Sequence, residues 1–491
     1  MTPLLARTTP AAVGLDPAAV RLLIDRLNAI DAVHSLVVVR DGHVVAEVAW
    51  APHTLDRPHM MFSVSKSVTA LAVGLAIDEG RFGLEDRVVD LLPDDAPADP
   101  SPNLASMTVR HLLTMTSGHA ADTIRAVRGA GRGWARRLLA LPVEHEPGTA
   151  PVYNTGATYL VGAIVQRLTG QRLLDYLRPR VFEPLGITTA TWEQDPDGRD
   201  VAGYGLAMTT EELAAFGQLC LQRGHWRGRQ LVPAEWIDAA TSRQVPSPAV
   251  GGVDPTQPRP DAEQGYGFQF WRCRHGAYRA DGAFGQFAIV WPEHRMVIAI
   301  NSGTNDMQGV MDAVWDSLLP ALSDGTAARP DRTAPATGAP GETIDASGYR
   351  LPPPAGAPAS PREASIIGVT HALDAPVGRI THLTLFRDEH GRLSLHLRAA
   401  GQDRTIRYGY DEWLPGVLAL GGRPADVASA AAWADESRLV ARTITLGTPF
   451  ATTLSLRVVD GGLEVALDQN VSFDDTHLGH ATARPVTSAE V

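Results

Sequence analysis

Apolar and polar positions along the first part of the chain follow the patterns of strands. His34–Arg40 is a valine-rich apolar run, and His43–Trp50 returns after the tight-turn dipeptide Asp41-Gly42, which predicts a β-hairpin. Much farther along, short apolar runs recur between turn residues and predict four more strands. These strands are Tyr266–Arg272, Ala277–Asp281, Phe287–Trp291 and Met296–Asn301.

Helical patterns lie between the hairpin and the later strands and again after them. Val64–Ile77 is a long apolar stretch that ends at Gly80, which predicts a buried helix. Tyr159–Leu168 predicts another apolar helix, and Asp306–Leu322 predicts an amphipathic closing helix. Strands at both ends with helices between them predict an α/β fold, in which one antiparallel sheet is flanked by helices.

The pattern changes beyond the closing helix. Residues 323–347 are rich in Pro, Ala, Gly, Thr and Asp, which predicts a linker between a domain over residues 1–322 and a second domain over residues 348–491. In the second region apolar and polar residues alternate with period two, as from Leu393 to Leu397. We expect a small all-β domain there, with no catalytic residue of its own.

Composition excludes several classes of protein. Hydrophobic residues make up 44% of the 491 residues, as in globular chains, and the net charge of -12 disfavours nucleic acid or an anionic membrane surface as a partner. No stretch is apolar enough to span a bilayer and the N-terminus lacks a secretory pattern, so we expect a cytoplasmic protein. Cys220 and Cys273 permit one disulfide at most, and His34, His111 and His275 lack metal-ligand spacing. We therefore expect no metal or other cofactor, and the sequence does not specify the oligomeric state.

Lys66 is the only lysine in the chain, whereas lysine and arginine together number 43. Arginine stays protonated, but a buried lysine can lose its proton and act as a base. Ser63 lies three residues earlier, at the start of the first predicted helix, so the two side chains share one helix face. A serine hydroxyl becomes a nucleophile when a base takes its proton, and the spacing predicts that chemistry here. A capping serine followed by a solvated lysine is the structural alternative.

A tyrosine precedes the second apolar helix, in the segment Pro147-Gly-Thr-Ala-Pro-Val-Tyr-Asn-Thr-Gly156. Close to a lysine, Tyr153 can relay a proton to a leaving group. A tyrosine packed at a helix start is the structural alternative. Tyr204, in an aromatic–glycine segment, is a further candidate for contact with substrate.

Together these segments resemble the class C β-lactamase-like serine hydrolases, which include D-alanyl-D-alanine peptidases, family VIII esterases and oligoamide hydrolases. The likeness extends from about Val13 to Leu322. It rests on Phe62-Ser-Val-Ser-Lys-Ser67, Thr108-Val-Arg-His-Leu-Leu-Thr-Met-Thr-Ser-Gly118, Pro147-Gly-Thr149 with Tyr153-Asn-Thr155, and Gly205-Leu-Ala-Met-Thr-Thr-Glu-Glu-Leu213. The resemblance implies a β-lactamase/transpeptidase-like fold with an α-helical subdomain and an acyl-enzyme on Ser63. It also implies that Lys66 and Tyr153 act as a general-base pair.

Two motifs depart from the family pattern. The second is usually Tyr-x-Asn, but here Asn154 stands in the middle and Thr155 in the third position, so either can orient the lysine or a substrate carbonyl. The third is usually Lys-Thr-Gly or His-x-Gly on an edge strand, and the matching segment here is Ala280-Asp281-Gly282, which lacks the basic residue. Strand alternation points Arg279 away from the face of Ala280, so it is a poor replacement.

The missing base disfavours recognition of a substrate carboxylate, which the family base usually receives. The backbone role of the third motif remains, and the N–H groups of Ser63 and Ala283 are predicted to form the oxyanion hole. The candidate substrate-binding residues are Asn154, Thr155, Tyr204, Ala280, Asp281 and Gly282.

The sequence therefore predicts a serine hydrolase that cleaves a small-molecule ester or amide through an acyl-Ser63 intermediate. One alternative is a β-lactamase, D-aminopeptidase or D-Ala-D-Ala carboxypeptidase-like activity. A second is a non-catalytic penicillin-binding-like module, which an intact set of Ser63, Lys66 and Tyr153 disfavours.

Overall fold

The computed structural model describes residues 3–251, 258–323, 348–420 and 423–486. Apart from its first residue, the predicted linker 323–347 lies outside the described residues. The helices are α1 Pro17–Asn28, α2 Val64–Asp78, α3 Val88–Leu91, α4 Pro102–Ser106, α5 Val109–Leu113, α6 Trp134–Leu139, α7 Thr155–Thr169, α8 Leu173–Leu177, α9 Glu183–Leu185, α10 Thr210–Leu221, α11 Ala234–Thr241 and α12 Met307–Ser323.

The strands fall into an N-terminal set and a C-terminal set. The N-terminal strands are β1 Ala6–Arg7, β2 Val33–Arg40, β3 His43–Ala49, β4 His59–Met60, β5 Thr191–Trp192, β6 Leu206–Met208, β7 His225–Trp226, β8 Arg229–Gln230, β9 Trp271–Arg272, β10 Tyr278–Gly282, β11 Gln286–Trp291 and β12 Met296–Ser302. The C-terminal strands are β13 Thr370–Val377, β14 Ile380–Arg387, β15 Leu393–Ala399, β16 Gln402–Arg407, β17 Leu414–Leu420, β18 Arg423–Trp433, β19 Arg438–Thr445, β20 Ala451–Val459, β21 Gly462–Gln469 and β22 His477–Pro485.

A seven-stranded sheet in the order β1-β3-β2-β12-β11-β10-β9 forms the centre of the N-terminal domain, residues 3–323. Neighbouring strands are antiparallel except β1, which runs parallel to β3. The predicted hairpin and the predicted helices α2, α7 and α12 are confirmed. The predicted strand Tyr266–Arg272 is wrong over its first five residues, since only Trp271–Arg272 pair as β9. Gln269 has φ 65°, which breaks the extended chain, and its side-chain amide donates to the carbonyls of Leu112 and Leu113.

Helices cover both faces of this sheet. Helices α1 and α12 pack on one face, while α2 and α10 pack on the other, each with its own apolar core. Cys220 and Cys273 belong to these two different cores and are free thiols, so the disulfide left open by the sequence does not form. The predicted α/β fold, with helices α3–α9 as the α-helical subdomain, is confirmed.

A separate C-terminal domain over residues 363–485 is all-β, as predicted. Its ten strands follow the order β16-β15-β14-β13-β22-β21-β20-β19-β18-β17, and contact between β16 and β17 brings the two edges together into a nearly closed barrel. Leu393, Leu395 and Leu397 point into the barrel core, which explains their alternation with polar residues. Every helix among the described residues is too short or too polar to cross a lipid bilayer.

The two domains contact each other at several places. Near the barrel, Ala51 exchanges backbone hydrogen bonds with Tyr349 and Leu351 at 3.0 Å and 2.8 Å. Two loops of the C-terminal domain, 446–450 between β19 and β20 and 470–476 between β21 and β22, extend to the start of α2. The C-terminal domain therefore contacts the N-terminal domain next to Ser63.

Candidate active site

Ser63 lies at the first turn of α2, the most deeply buried helix of the N-terminal domain. Every residue from Val64 to Ala76 is buried, which agrees with the uniformly apolar sequence of this segment. Ser63 itself is only half-buried, and its side chain makes no capping hydrogen bond to the helix. The hydroxyl therefore lies at the positive end of the helix dipole on a residue that is only partly buried.

Lys66 lies one helical turn later, 1% exposed, with its ammonium group aimed at Ser63. Its Nζ donates to Ser63 Oγ at 3.0 Å, to Thr155 Oγ1 at 3.2 Å and to the Gly203 carbonyl at 2.8 Å. Burial lowers the pKa of Lys66 to about 7, even though nearby Asp122 and Asp281 act in the opposite direction. A large neutral fraction of Lys66 is thus present at neutral pH, as a base requires.

Tyr153 completes the group around Ser63. Its ring centre lies 4.9 Å from Lys66 Nζ, and its phenol is close enough to Ser63 for that side chain to influence the phenol's pKa. Trp271 stacks on the Tyr153 ring with 5.7 Å between ring centres, and Tyr266 contacts the same ring edge-on with 6.4 Å between ring centres. Burial raises the pKa of Tyr153 well above its usual value, so the phenol keeps its proton at neutral pH.

The two residues that follow Tyr153 have different surroundings. Asn154 is fully buried, and its Oδ1 caps α7 by accepting from the Gly156 N–H at 2.9 Å and the Thr123 hydroxyl at 2.9 Å. Thr155 is the residue whose hydroxyl contacts Lys66. Of the two candidates for orienting the lysine, the structure brings Thr155 to it and uses Asn154 to start the helix.

The third motif lies on β10 near the edge of the sheet. Ala280 is 1% exposed and packs in the core shared with α2, whereas Arg279 lies on the opposite face. Arg279 pairs with Asp281 at 2.7 Å and also donates to the Asp261 carbonyl at 2.7 Å. Its charge is therefore already matched within the protein, and Arg272 and Arg274 bind other groups of the domain.

Gly282 explains how β10 approaches the segment that contains Ser63. A Cβ built on this residue would lie 2.3 Å from the carbonyl oxygen of Met61, so only glycine permits the close contact. The contact brings Ala283, the next residue, towards the segment that leads into Ser63. Within the described parts of the chain, neither the Ser63 N–H nor the Ala283 N–H donates to another protein group. Both N–H groups are free to bind a substrate oxygen.

Sequence reasoning missed Gly203 and Asp122. Gly203 presents its carbonyl to Lys66, and a Cβ there would lie 2.7 Å from the Thr155 methyl group. Asp122 accepts from the Thr155 N–H at 2.9 Å. Tyr204 is half-buried, with the Arg128 guanidinium 5.7 Å from its ring centre. The only nearby sequence signal for the contact between Gly203 and Lys66 is the motif Tyr204-Gly205, which directly follows Gly203.

No metal-binding group of three or more His, Cys, Asp or Glu side chains occurs within the described ranges. His34 donates to or accepts from His59 at 3.1 Å and stacks on His53. Burial lowers the pKa of His34, so the imidazole stays neutral. His34, His53 and His59 thus form a buried cluster inside the N-terminal domain.

Comparison with known proteins identifies the family and the fold. The family model described as Beta-lactamase matches residues 23–321. A 6-aminohexanoate-dimer hydrolase from Paenarthrobacter ureafaciens is 28% identical over 47% of this chain and 63% of its own length. Esterase EstB from Burkholderia gladioli is 30% identical over 37% of this chain and 54% of its own length. The matches thus span less than two thirds of either curated relative.

A solved structure agrees with the fold. A putative 6-aminohexanoate-dimer hydrolase from Bacillus anthracis superposes with a TM-score of 0.50 at 22% identity, over 62% of this chain and 81% of that one. The share of this chain is close to that of the N-terminal domain. At this identity the match supports the fold alone.

Proposed function

We propose that this chain, which belongs to the β-lactamase family, is a serine hydrolase that cleaves esters or amides through an acyl-enzyme on Ser63. The observation that carries the proposal is the contact between Lys66 Nζ and Ser63 Oγ at 3.0 Å, made by a lysine with a pKa of about 7. A neutral amine at hydrogen-bond distance from a serine hydroxyl is the arrangement that general-base activation requires.

In the first half-reaction, Lys66 takes the hydroxyl proton while Ser63 Oγ forms a bond to the substrate carbonyl carbon. The free N–H groups of Ser63 and Ala283 receive the negative charge that develops on the carbonyl oxygen. When the tetrahedral intermediate collapses, the bond to the leaving group breaks and that group needs a proton. Tyr153 supplies it and recovers a proton from Lys66, which returns the lysine to its neutral form.

The second half-reaction repeats these roles with water. Lys66 takes a proton from the water molecule, whose oxygen adds to the acyl carbon. The bond to Ser63 Oγ then breaks, and the serine oxygen regains a proton from the base pair. The products are a carboxylic acid and the original enzyme, so atoms and charge balance without a cofactor.

The residues of the third motif favour hydrolysis of uncharged substrates over hydrolysis of β-lactams, which carry a carboxylate. Ala280 is buried and uncharged, and the ion pair with Asp281 occupies Arg279. A carboxylate beside the scissile bond would lack a charge partner, which costs on the order of 1–3 kcal/mol. Esterase EstB, one of the relatives, is named for an ester-cleaving activity, which agrees with this proposal.

Hydrolysis of p-nitrophenyl butyrate and of nitrocefin by matched variants tests the proposal. We expect wild type to have the larger kcat/KM for the ester, and Ser63→Ala to lose turnover of both. Ser65→Ala is the control, because Ser65 binds the Phe62 carbonyl rather than Lys66. Ester turnover that persists in Ser63→Ala, or a larger kcat/KM for nitrocefin in wild type, would contradict the proposal.

A further inference from the structure

Four phenylalanines from separate parts of the chain meet beside the proposed nucleophile. Phe62 directly precedes that serine, Phe284 directly follows the second oxyanion donor, and Phe450 and Phe473 come from the two C-terminal loops. The Phe62 ring centre lies 5.5 Å from that of Phe284, 6.1 Å from Phe450 and 5.7 Å from Phe473. Phe284 and Phe473 are 4.8 Å apart. We call these four residues the aromatic face, and each domain supplies half of it.

The backbone is strained at the two members from the N-terminal domain. Phe62 has φ 46° and Phe284 has φ 66°, in the left-handed region that side chains other than glycine rarely adopt. Strain of this kind persists only where packing holds it, and it clusters at functional sites. Because each residue adjoins a predicted oxyanion donor, the packing of the aromatic face also fixes the backbone that would hold the substrate oxygen.

Exposure varies sharply across the aromatic face. Phe62 and Phe284 are 9% and 6% exposed, whereas Phe473 is 52% exposed. Phe473 is therefore the member that presents its ring to solvent next to the nucleophile. A large apolar side chain that is exposed over an otherwise packed apolar cluster is suited to contact with an apolar ligand.

Directional contacts hold the two C-terminal loops in place. The Met60 N–H donates to the Gly447 carbonyl at 2.8 Å, and the Asn470 amide donates to the Gly303 carbonyl at 2.7 Å. On the other side, Arg125 donates to the Phe473 carbonyl at 3.2 Å and to the Asp474 carboxylate at 3.2 Å. The loop that carries Phe473 is thus attached to both the sheet and the helical subdomain.

The proton-handling side chains decide which part of a substrate meets the aromatic face. The leaving group must approach Tyr153 and Lys66, because it receives its proton there. The acyl chain then extends to another side of Ser63, where the oxyanion donors adjoin the phenylalanines. We infer that the aromatic face binds the acyl group of the substrate, and that Phe473 of the C-terminal domain selects an extended apolar or aromatic acyl group. This inference rests on the proposed acyl-enzyme.

A series of p-nitrophenyl esters with one leaving group and different acyl groups tests the inference. For acetate, butyrate, octanoate and phenylacetate, we expect kcat/KM of wild type to rise with apolar acyl size. Phe473→Ala should lower the octanoate-to-acetate ratio of kcat/KM by roughly ten-fold, since the lost ring corresponds to more than one methylene of contact. Phe473→Leu should recover much of that ratio, because it restores apolar bulk.

Val417→Ala is the matched control. Val417 is 64% exposed on the same domain but lies outside the aromatic face, so its loss should leave the ratio unchanged. An unchanged ratio in Phe473→Ala would overturn the inference. A second comparison uses phenyl octanoate and p-nitrophenyl octanoate, which share the acyl group and differ in the leaving group. If Phe473→Ala lowers kcat/KM for one of these esters much more than for the other, the ring contacts the leaving group and the inference is overturned. Turnover that survives Ser63→Ala would instead overturn the proposed function, so the two failures are distinguishable.

Discussion

The two sides of Ser63, the proposed nucleophile, are built in different ways. On one side, Lys66 and Tyr153 form a polar group within a single domain, and their chemistry depends on burial that shifts pKa values in opposite directions. On the other side, the aromatic face is apolar, and two domains assemble it across a strained backbone. Under the proposed function, the polar side transfers protons and the apolar side binds the acyl group, so the two sides should respond differently to substitution.

Replacement of the base should have the largest effect on the polar side. Lys66→Arg keeps a positive charge but cannot give up its proton, so we expect kcat to fall by about a thousand-fold, nearly as far as in Lys66→Ala. Steady-state kinetics on p-nitrophenyl butyrate measures this loss. The octanoate-to-acetate ratio should change little in any residual activity, because the aromatic face is untouched. Near wild-type kcat in Lys66→Arg would show that Lys66 is not the base.

The pH dependence of kcat/KM should show a smaller effect that also comes from Lys66. Lys66 acts as a base only when neutral, and its pKa of about 7 lies far below the usual lysine value because it is buried. Protonation therefore removes activity as pH falls, and kcat/KM should be half-maximal near pH 7 and drop about ten-fold per pH unit below it. A pH–rate profile of wild type measures this slope. A flat profile from pH 5 to pH 8 would argue against a titrating Lys66, and the acyl-group preference should be the same across the range.

Loosening the loop that carries Phe473 should have the smallest effect. Arg125→Ala removes the contacts to Phe473 and Asp474, and both charged partners are mostly exposed, so we expect only about a two- to three-fold fall in the octanoate-to-acetate ratio. Arg57→Ala is the control, since Arg57 forms another ion pair between the domains, with Asp426. An equal effect of both variants would indicate general loosening of the domain interface rather than placement of Phe473.

The polar side could be predicted from sequence because its parts lie in short, ordered motifs. Ser63 and Lys66 are one helical turn apart, and a chain with a single lysine draws attention to that position. Ala283 could be proposed as an oxyanion donor because it directly follows the segment Ala280-Asp281-Gly282, which matches the third motif of the family. The roles of Asn154 and Thr155 could not be separated from sequence. The two residues are adjacent at the start of α7, and only the structure shows which side chain points towards Lys66.

The apolar side could not be predicted, because its members are distant in sequence. Phe450 and Phe473 lie on loops of the C-terminal domain. The alternation of apolar and polar residues along its strands predicts which residues face the core of that domain, but not which residues contact the N-terminal domain. Gly203 was missed for a similar reason, since a backbone carbonyl that accepts from Lys66 carries no side-chain signal. The sequence predicted a C-terminal domain without a catalytic residue and left its role open, whereas the structure places two of its loops beside Ser63.

The central claim is that Ser63 carries the acyl group during turnover. Intact-mass measurement and peptide mapping of enzyme quenched in acid during hydrolysis of p-nitrophenyl octanoate test it most directly. The account predicts a species heavier by one octanoyl group, with the added mass on the peptide that contains Ser63, and no such species in Ser63→Ala. A wild-type enzyme that turns over this ester with the adduct on another residue, or an adduct that persists in Ser63→Ala, would contradict it.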